Sequence, residues 1–171
     1  MAESLTKGAR VIATAGNAAR RDWLIDRLGV AAALDHHDSG IASRLADVAP
    51  EGIDLSIENV GGDVFEAAIE ALAPGGRVVL CGLVGQYNSP EPRRAPRNLS
   101  RLTAAGGHLQ PFVVPGHEAA HWEGFQREMA RWEEVVEPLD VMDGFTGWPR
   151  AFCGLFNDDV RGVGKRVVRL R

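Results

Sequence analysis

Two groups of residues in this chain have types and spacings that chemistry could use. The first is His117-Glu118-Ala119-Ala120-His121, a literal H-E-x-x-H. On a helix its two histidines would face one way and could share Zn²⁺, with Glu118 as general base. The run continues as Trp122-Glu123-Gly124, but Arg127 stands where a further ligand would fall, and a cation there opposes a metal. The motif follows Val114-Pro115-Gly116, so it occupies the fraying first turn of a helix. A catalytic zinc needs a third ligand and supporting partners. The sequence offers none, so zinc hydrolysis stays the weakest reading and no metal site is assigned. His36-His37 has no third partner and reads as a strand end, and His108 reads as loop.

The second group is a strand and the loop it empties into, residues 75–88. Arg77-Val78-Val79-Leu80-Cys81 is short, apolar and β-branched, and glycines bound it. That is how a strand buried on both faces of a parallel sheet reads. Ligands of open parallel α/β sheets bind beyond the carboxyl ends of the strands. The loop at residues 82–88 is therefore the first candidate for a small-molecule site. It holds Tyr87, the chain's one tyrosine. By itself Tyr87 reads as a loop aromatic packed on its neighbours.

The elements that must position this loop alternate. Strands are expected at 10–15, 31–36, 53–60, 77–81, 109–114 and 165–170. Helices are expected at 18–28, 41–48, 63–72, 97–105, 117–136 and 148–156, with Gly29 as a C-terminal stop and Asp38/Ser39 as a cap signal. In the longest helix Trp122, Phe125, Met129, Trp132 and Val136 form one continuous face, which reads as core or subunit contact. Met142 falls in a turn-like stretch. The alternation defines an α/β fold with a doubly wound parallel sheet. A length of 171 residues and 45% hydrophobic content suit one domain with a real core.

Charge and composition exclude several classes. Net charge is −4 with scattered basic residues, which argues against a nucleic-acid surface. Arg93, Arg94 and Arg97 are interrupted by prolines and read as a solvated loop. No apolar run approaches ~18 residues and no signal-peptide core opens the chain. No membrane partner is expected, and the expected location is the cytoplasm. Cys81 and Cys153 carry no disulfide or zinc spacing.

A dinucleotide-binding unit should open with a strand, then G-x-G-x-x-G entering a helix, and the chain has no such motif. Val60-Gly61-Gly62-Asp63 lies between a strand and a helix, but Asp63 reads as an N-cap whose carboxylate would repel phosphate. The first visible strand resembles the second strand of a Rossmann unit. It ends in Gly16-Asn17 without an acid, and Arg20-Arg21 follow. That corner favours NADP, whose 2′-phosphate asks for a cation, over NAD.

The segments GARVIATAGN (8–17), ENVGG (58–62), CGLVGQYN (81–88), PFVV (111–114) and GLF with GK (154–156, 164–165) recur in family order. Together they make the chain resemble the nucleotide-binding C-terminal part of a zinc-independent medium-chain dehydrogenase/reductase. The branch resembled is that of the prostaglandin reductase or leukotriene B4 dehydrogenase-like, NADP-dependent alkenal (enone) reductases. The resemblance implies an incomplete Rossmann-like domain over 1–171, lacking the first strand, the glycine-rich turn and the N-terminal substrate domain. Such a gap leaves two sheet edges to be paired or covered.

The resemblance further implies NADPH as cofactor, an enone or alkenal substrate and a homodimer. Arg20 stands where the family has a lysine on the 2′-phosphate. His36 replaces a tyrosine beside the adenosine phosphate. Asn59 matches the asparagine of D-N-V-G-G, with Glu58 for the aspartate. Cys81, Gly82, Leu83, Val84, Gly85, Gln86 and Tyr87 match the segment lining the nicotinamide. Phe112, Val113 and Val114 match a strand segment on the cofactor, and Tyr87 matches the tyrosine assigned to substrate contact. Gly162 replaces an asparagine that contacts the cofactor, so that contact is expected to be lost. The reading is an NADP(H)-binding domain inactive alone. Its alternative is a stand-alone domain that has lost redox chemistry and binds another small molecule or a protein.

Overall fold

A computed structural model describes residues 8–88, 90, 94–131, 138–156 and 163–170. The chain divides into two compact units, one drawn from 1–35 and 132–171, the other from 36–131. Among the described residues every strand pairing is parallel, four ladders in three sheets.

In the first unit β1 (Ile12–Thr14) pairs with β2 (Ala32–Leu34), and α1 (Ala18–Leu28) connects them. The Asn17 side chain caps α1 by accepting the Arg20 N–H at 2.8 Å. Gly29 ends the helix in the left-handed region, φ 66°, and its N–H returns to the Ile25 carbonyl.

The same unit contains β6 (Leu139–Asp143) paired in register with β7 (Lys165–Arg169), with α6 (Trp148–Cys153) and a following 3₁₀ turn between them. Met142 therefore lies in a strand, not in a turn. Two aspartates in five residues hide that strand in the sequence. They are accommodated because Asp140 and Asp143 lie opposite Arg166 and Arg169. Arg166 donates to Asp140 Oδ2 through Nε at 2.9 Å and Nη2 at 2.6 Å.

The second unit begins with α2 (Ile41–Val48). Its N-cap is Gly40, without a side-chain capping bond to the helix; Asp38 Oδ1 instead accepts the Gly40 N–H at 2.8 Å. The chain then runs β3 (Ile53–Glu58), α3 (Gly62–Glu70), β4 (Leu72–Leu80), α4 (Ser100–Ala105) and β5 (His108–Pro111), with sheet order β3-β4-β5. Phe65 and Ile69 of α3, Val78 of β4 and Leu102 of α4 form the core, with Leu72, Leu80 and Leu83 packed against it. Each large buried side chain there contributes about 1.5–3 kcal/mol.

Several expectations change. The central strand starts earlier than residue 77, because Pro74-Gly75-Gly76 forms an irregularity inside β4 rather than a turn before it. The ladder shifts register there, from Ile53↔Leu72 to Leu55↔Arg77. Gly76 is required at that shift: a Cβ would lie 2.6 Å from the Ile53 carbonyl oxygen.

Nor is β4 buried on both faces. Val78 is fully buried, but Arg77 is exposed, and Leu55 and Ile57 on the same face are 55% and 60% exposed. Strand β5 stops at Pro111, so Phe112, Val113 and Val114 lie beyond it, although the Phe112 N–H still donates to the Leu80 carbonyl at 2.9 Å.

The long helix is α5 (Glu118–Met129). None of its residues is buried, and Trp122 and Phe125 are exposed, so the aromatic stripe is not core. Trp132 and Val136 lie outside the described residues, as do Arg93 and Gly162. Among the described residues no helix is long and apolar enough to cross a membrane.

Candidate functional site

The carboxyl ends of β3 and β4 are adjacent, paired through Glu58↔Leu80. Each strand gives way to a segment whose conformation the other fixes. After β3, the Glu58 carboxylate turns back beneath the chain, and Oε1 accepts the N–H groups of Val60 at 2.5 Å and Gly61 at 2.8 Å. Gly61 is the N-cap of α3, with φ 85° and ψ −168°, and Gly62 opens the helix. Asp63 is thus inside the first turn, and the N-cap is Gly61 instead of Asp63. Its charge still complements the positive end of the helix.

After β4, the loop 81–87 is laid onto that turn. Cys81 and Gly82 donate to the Glu58 carbonyl at 2.8 and 3.2 Å, Val84 to Asn59 at 2.8 Å, and Gly85 to Val60 at 2.9 Å. Residues 84–86 close a 3₁₀ turn in which Gln86 donates to Leu83 and Tyr87 to Val84. The remaining amide, Leu83, donates to the Tyr87 hydroxyl at 3.3 Å. Every backbone N–H from 81 to 87 therefore has an acceptor within the protein.

Two consequences follow. The loop holds its shape without a ligand, which lowers the ordering cost of binding one. It also has no spare amide with which to cradle a phosphate, so any ligand must be met by side chains and carbonyl groups. Asn59 is exposed at the rim, and Val84 and Tyr87 are 57% and 53% exposed. An amide beside an apolar and an aromatic surface suits a flat ring bearing a carboxamide.

The structure thus brings Asn59, Cys81, Gly82, Leu83, Val84, Gly85, Gln86 and Tyr87 into one hydrogen-bonded constellation, and Phe112 adjoins it through Leu80. Val113 and Val114 are exposed beyond β5. His36 packs against His37 with the rings tilted by 59° and their centroids 4.2 Å apart. Arg20 is in the first turn of α1 in the other unit. Its neighbour Arg21 is committed to structure, with Nη1 donating to the Ala15 carbonyl at 2.9 Å and to Asp35 at 2.8 Å.

Of the arginines after the loop, Arg94 is exposed and meets it through its backbone, and Arg97, with its side chain 82% exposed, pairs with Glu66 of α3. Gln86 exchanges two hydrogen bonds with the Arg94 backbone, at 3.0 and 3.1 Å. Arg97 makes a forked pair with Glu66 and holds its carboxyl below the usual range, mainly through the side-chain hydrogen bonds. Sequence reasoning missed Glu58, whose buried carboxylate organises the turn; the signal was an acid directly before Asn-Val-Gly-Gly at a strand end.

His117 is the N-cap of α5 and stacks on Phe112 at 5.1 Å, whereas His121 lies within the helix. Among the described residues no three His, Cys, Asp or Glu side chains are grouped to hold a metal.

A parallel α/β chain with a ligand loop at its strand ends is the architecture of dinucleotide enzymes. Residues 3–131 match the zinc-binding dehydrogenase family, and the chain belongs to it. The zinc in that family's name has no fitting donor set among the described residues.

Among relatives, the chain is 34% identical over 171 residues to the NADPH-dependent curcumin reductase of Escherichia coli (strain K12), across 96% of this chain and 49% of that protein. It is 29% identical to prostaglandin reductase 1 of Bos taurus, across 95% of this chain and 50% of the relative. The crystal structure of CurA in complex with NADPH from Vibrio vulnificus superposes with a TM-score of 0.85 at 31% identity, across 99% of this chain and 52% of CurA. The chain spans about half the length of the relatives it matches.

Proposed function

We propose that residues 1–171 form the NADP(H)-binding domain of an NADPH-dependent enone or alkenal double-bond reductase, inactive by itself in reduction. The observation that carries this reading is the loop 81–87, whose amides are all satisfied, four of them by the turn 58–60, at the carboxyl ends of two parallel strands. Its tied amides suit it to the uncharged nicotinamide end of the cofactor. Asn59, Cys81, Gly82, Leu83, Val84, Gly85, Gln86 and Tyr87 line that end, and Phe112, Val113 and Val114 contact the same cofactor. Arg20 meets the 2′-phosphate, and His36 lies beside the adenosine phosphate.

NADPH, when bound, supplies a hydride to the β-carbon of an activated C=C bond. The chain's own part is to orient the ring and to stabilise the charge that develops on the carbonyl oxygen. Tyr87 is the residue suited to that second task, with its oxygen oriented by the Leu83 amide and its ring exposed. The support for the substrate class is the presence of a curcumin reductase and a prostaglandin reductase among the relatives. The family resemblance, together with the exposed Trp122 and Phe125 of α5, supports a homodimer, and the same resemblance supports a cytoplasmic enzyme.

Titration of the purified chain with NADPH, followed by cofactor fluorescence, tests the reading. Saturable binding is expected, with NADPH favoured over NADH. No binding at millimolar cofactor refutes it and leaves a domain that binds something else.

A further inference from the structure

One buried charged side chain has a larger structural reach than its position suggests. Glu58 is 2% exposed, the only buried polar or charged residue among those described. It ends β3, and both its side chain and its backbone serve the site. The carboxylate oxygen Oε1 accepts Val60 and Gly61, fixing a turn in which the chain reverses over two residues. The carbonyls of the same turn, Glu58, Asn59 and Val60, then receive four amides of the neighbouring loop: Cys81, Gly82, Val84 and Gly85. Four loop hydrogen bonds thus depend on the path of three residues, and one carboxylate sets that path.

The packing leaves little freedom. A Cβ on Gly85 would lie 2.9 Å from the Val60 carbonyl oxygen, and one on Gly82 would lie 3.3 Å from the Tyr87 hydroxyl. Turn and loop are in backbone contact, so a shift of the turn by a few tenths of an ångström is transmitted directly. Gly61 caps α3 with no side-chain hydrogen bond of its own, which leaves Glu58 as the side chain anchoring this junction.

We propose that Glu58 is a positioning residue for the cofactor loop: its buried carboxylate holds the turn 58–61 to which the loop 81–87, with Tyr87, is hydrogen-bonded. The loop's role toward NADPH rests on the function proposed above, whereas the positioning claim concerns the loop itself.

The two claims separate experimentally. Amide hydrogen exchange of the full chain without cofactor is compared for wild type, Glu58→Ala and Glu58→Asp, alongside NADPH titration. Glu58→Ala is expected to speed exchange at Val60, Gly61, Val84 and Gly85 by about tenfold or more, the scale of losing one buried hydrogen bond. Protection at Val78 in the strand core stays unchanged, and the Kd for NADPH rises in step. Glu58→Asp, which keeps a carboxylate able to accept the amide two residues on, restores a substantial part of the protection and affinity.

Unchanged loop exchange in Glu58→Ala overturns the proposal. So does an equal loss at Val78 and the loop, which would mean a general loss of stability. If Glu58→Ala does not fold, Glu58→Met, which fills a similar volume without an oxygen acceptor, is measured by the same standard. A loss confined to Val60, Gly61 and the loop supports positioning, and a uniform change or none overturns it. If wild type fails to bind NADPH while the variants loosen only the loop, the functional reading falls and the positioning claim stands.

Discussion

Replacement of Gly61 by alanine tests the turn beneath the candidate site. Gly61 sits at φ 85°, ψ −168°, a backbone region that is essentially glycine's alone. Holding alanine there costs about 1–3 kcal/mol. The new Cβ would also lie 3.1 Å from Gln86 Nε2 and 3.2 Å from Leu83 Cδ2, tighter than ordinary contact. Leu83 can yield at its methyl end, but Gln86 is held by its two hydrogen bonds to the Arg94 backbone, and loosening one costs about 0.5–1.5 kcal/mol.

Against these stands a gain of about 0.4–1 kcal/mol, because alanine restricts the unfolded chain. The balance is a destabilisation of about 1–3 kcal/mol. With a urea slope of about 1–3 kcal/mol/M, the unfolding midpoint should fall by about 1 M. Gly62→Ala is the control. Gly62 has φ 63°, the ordinary left-handed region, and its Cβ would meet nothing within 4 Å. The control should therefore lose less, about 1 kcal/mol. A Gly61→Ala midpoint equal to wild type, or a loss no larger than that of Gly62→Ala, refutes the strained-turn reasoning.

Other perturbations test other parts of the structure. Glu66 is held below its ordinary value of 4.5, first by the side-chain hydrogen bonds from Arg97. Its contribution is therefore fully present above the unfolded value and is lost as pH falls through the lower folded one; Glu66→Gln should flatten the acid limb of Tm against pH below about 4.5 and change little at pH 7. Arg166→Met should destabilise the β6–β7 pair by about 1–3 kcal/mol, because it leaves half-buried Asp140 without its two charge-assisted bonds; thermal unfolding with no change in Tm refutes it. Trp122→Glu combined with Phe125→Glu should leave stability nearly unchanged, since both side chains are exposed, and on the proposed homodimer should shift sedimentation from dimer to monomer.

The sequence announces some elements more clearly than others. The bounds of α1 and α2 are legible because local chemistry sets them: Asn17 caps and Gly29 stops α1, and Pro50-Glu51-Gly52 follows α2. Strand β6 is not legible, because its aspartates acquire a reason only from arginines some twenty-six residues later. The strand at 77–81 reads as buried on both faces, but burial depends on what covers a face, which no window of residues records. The ligand loop is found from strand-end logic and glycine content. That its amides are all satisfied, and that Glu58 anchors the turn beneath it, depends on pairing between segments about twenty residues apart. Asp63 reads as the cap because side-chain caps are the usual signal; in the structure a glycine takes the position and the anchoring acid lies before the turn.

The most direct measurement is a two-dimensional amide NMR titration of the chain with NADPH. The account predicts saturable shifts centred on Asn59, on residues 81–87 and on Phe112, with further shifts at Arg20 for NADPH and not for NADH. Saturable shifts that bypass residues 81–87, or a spectrum unchanged at millimolar NADPH, would contradict it.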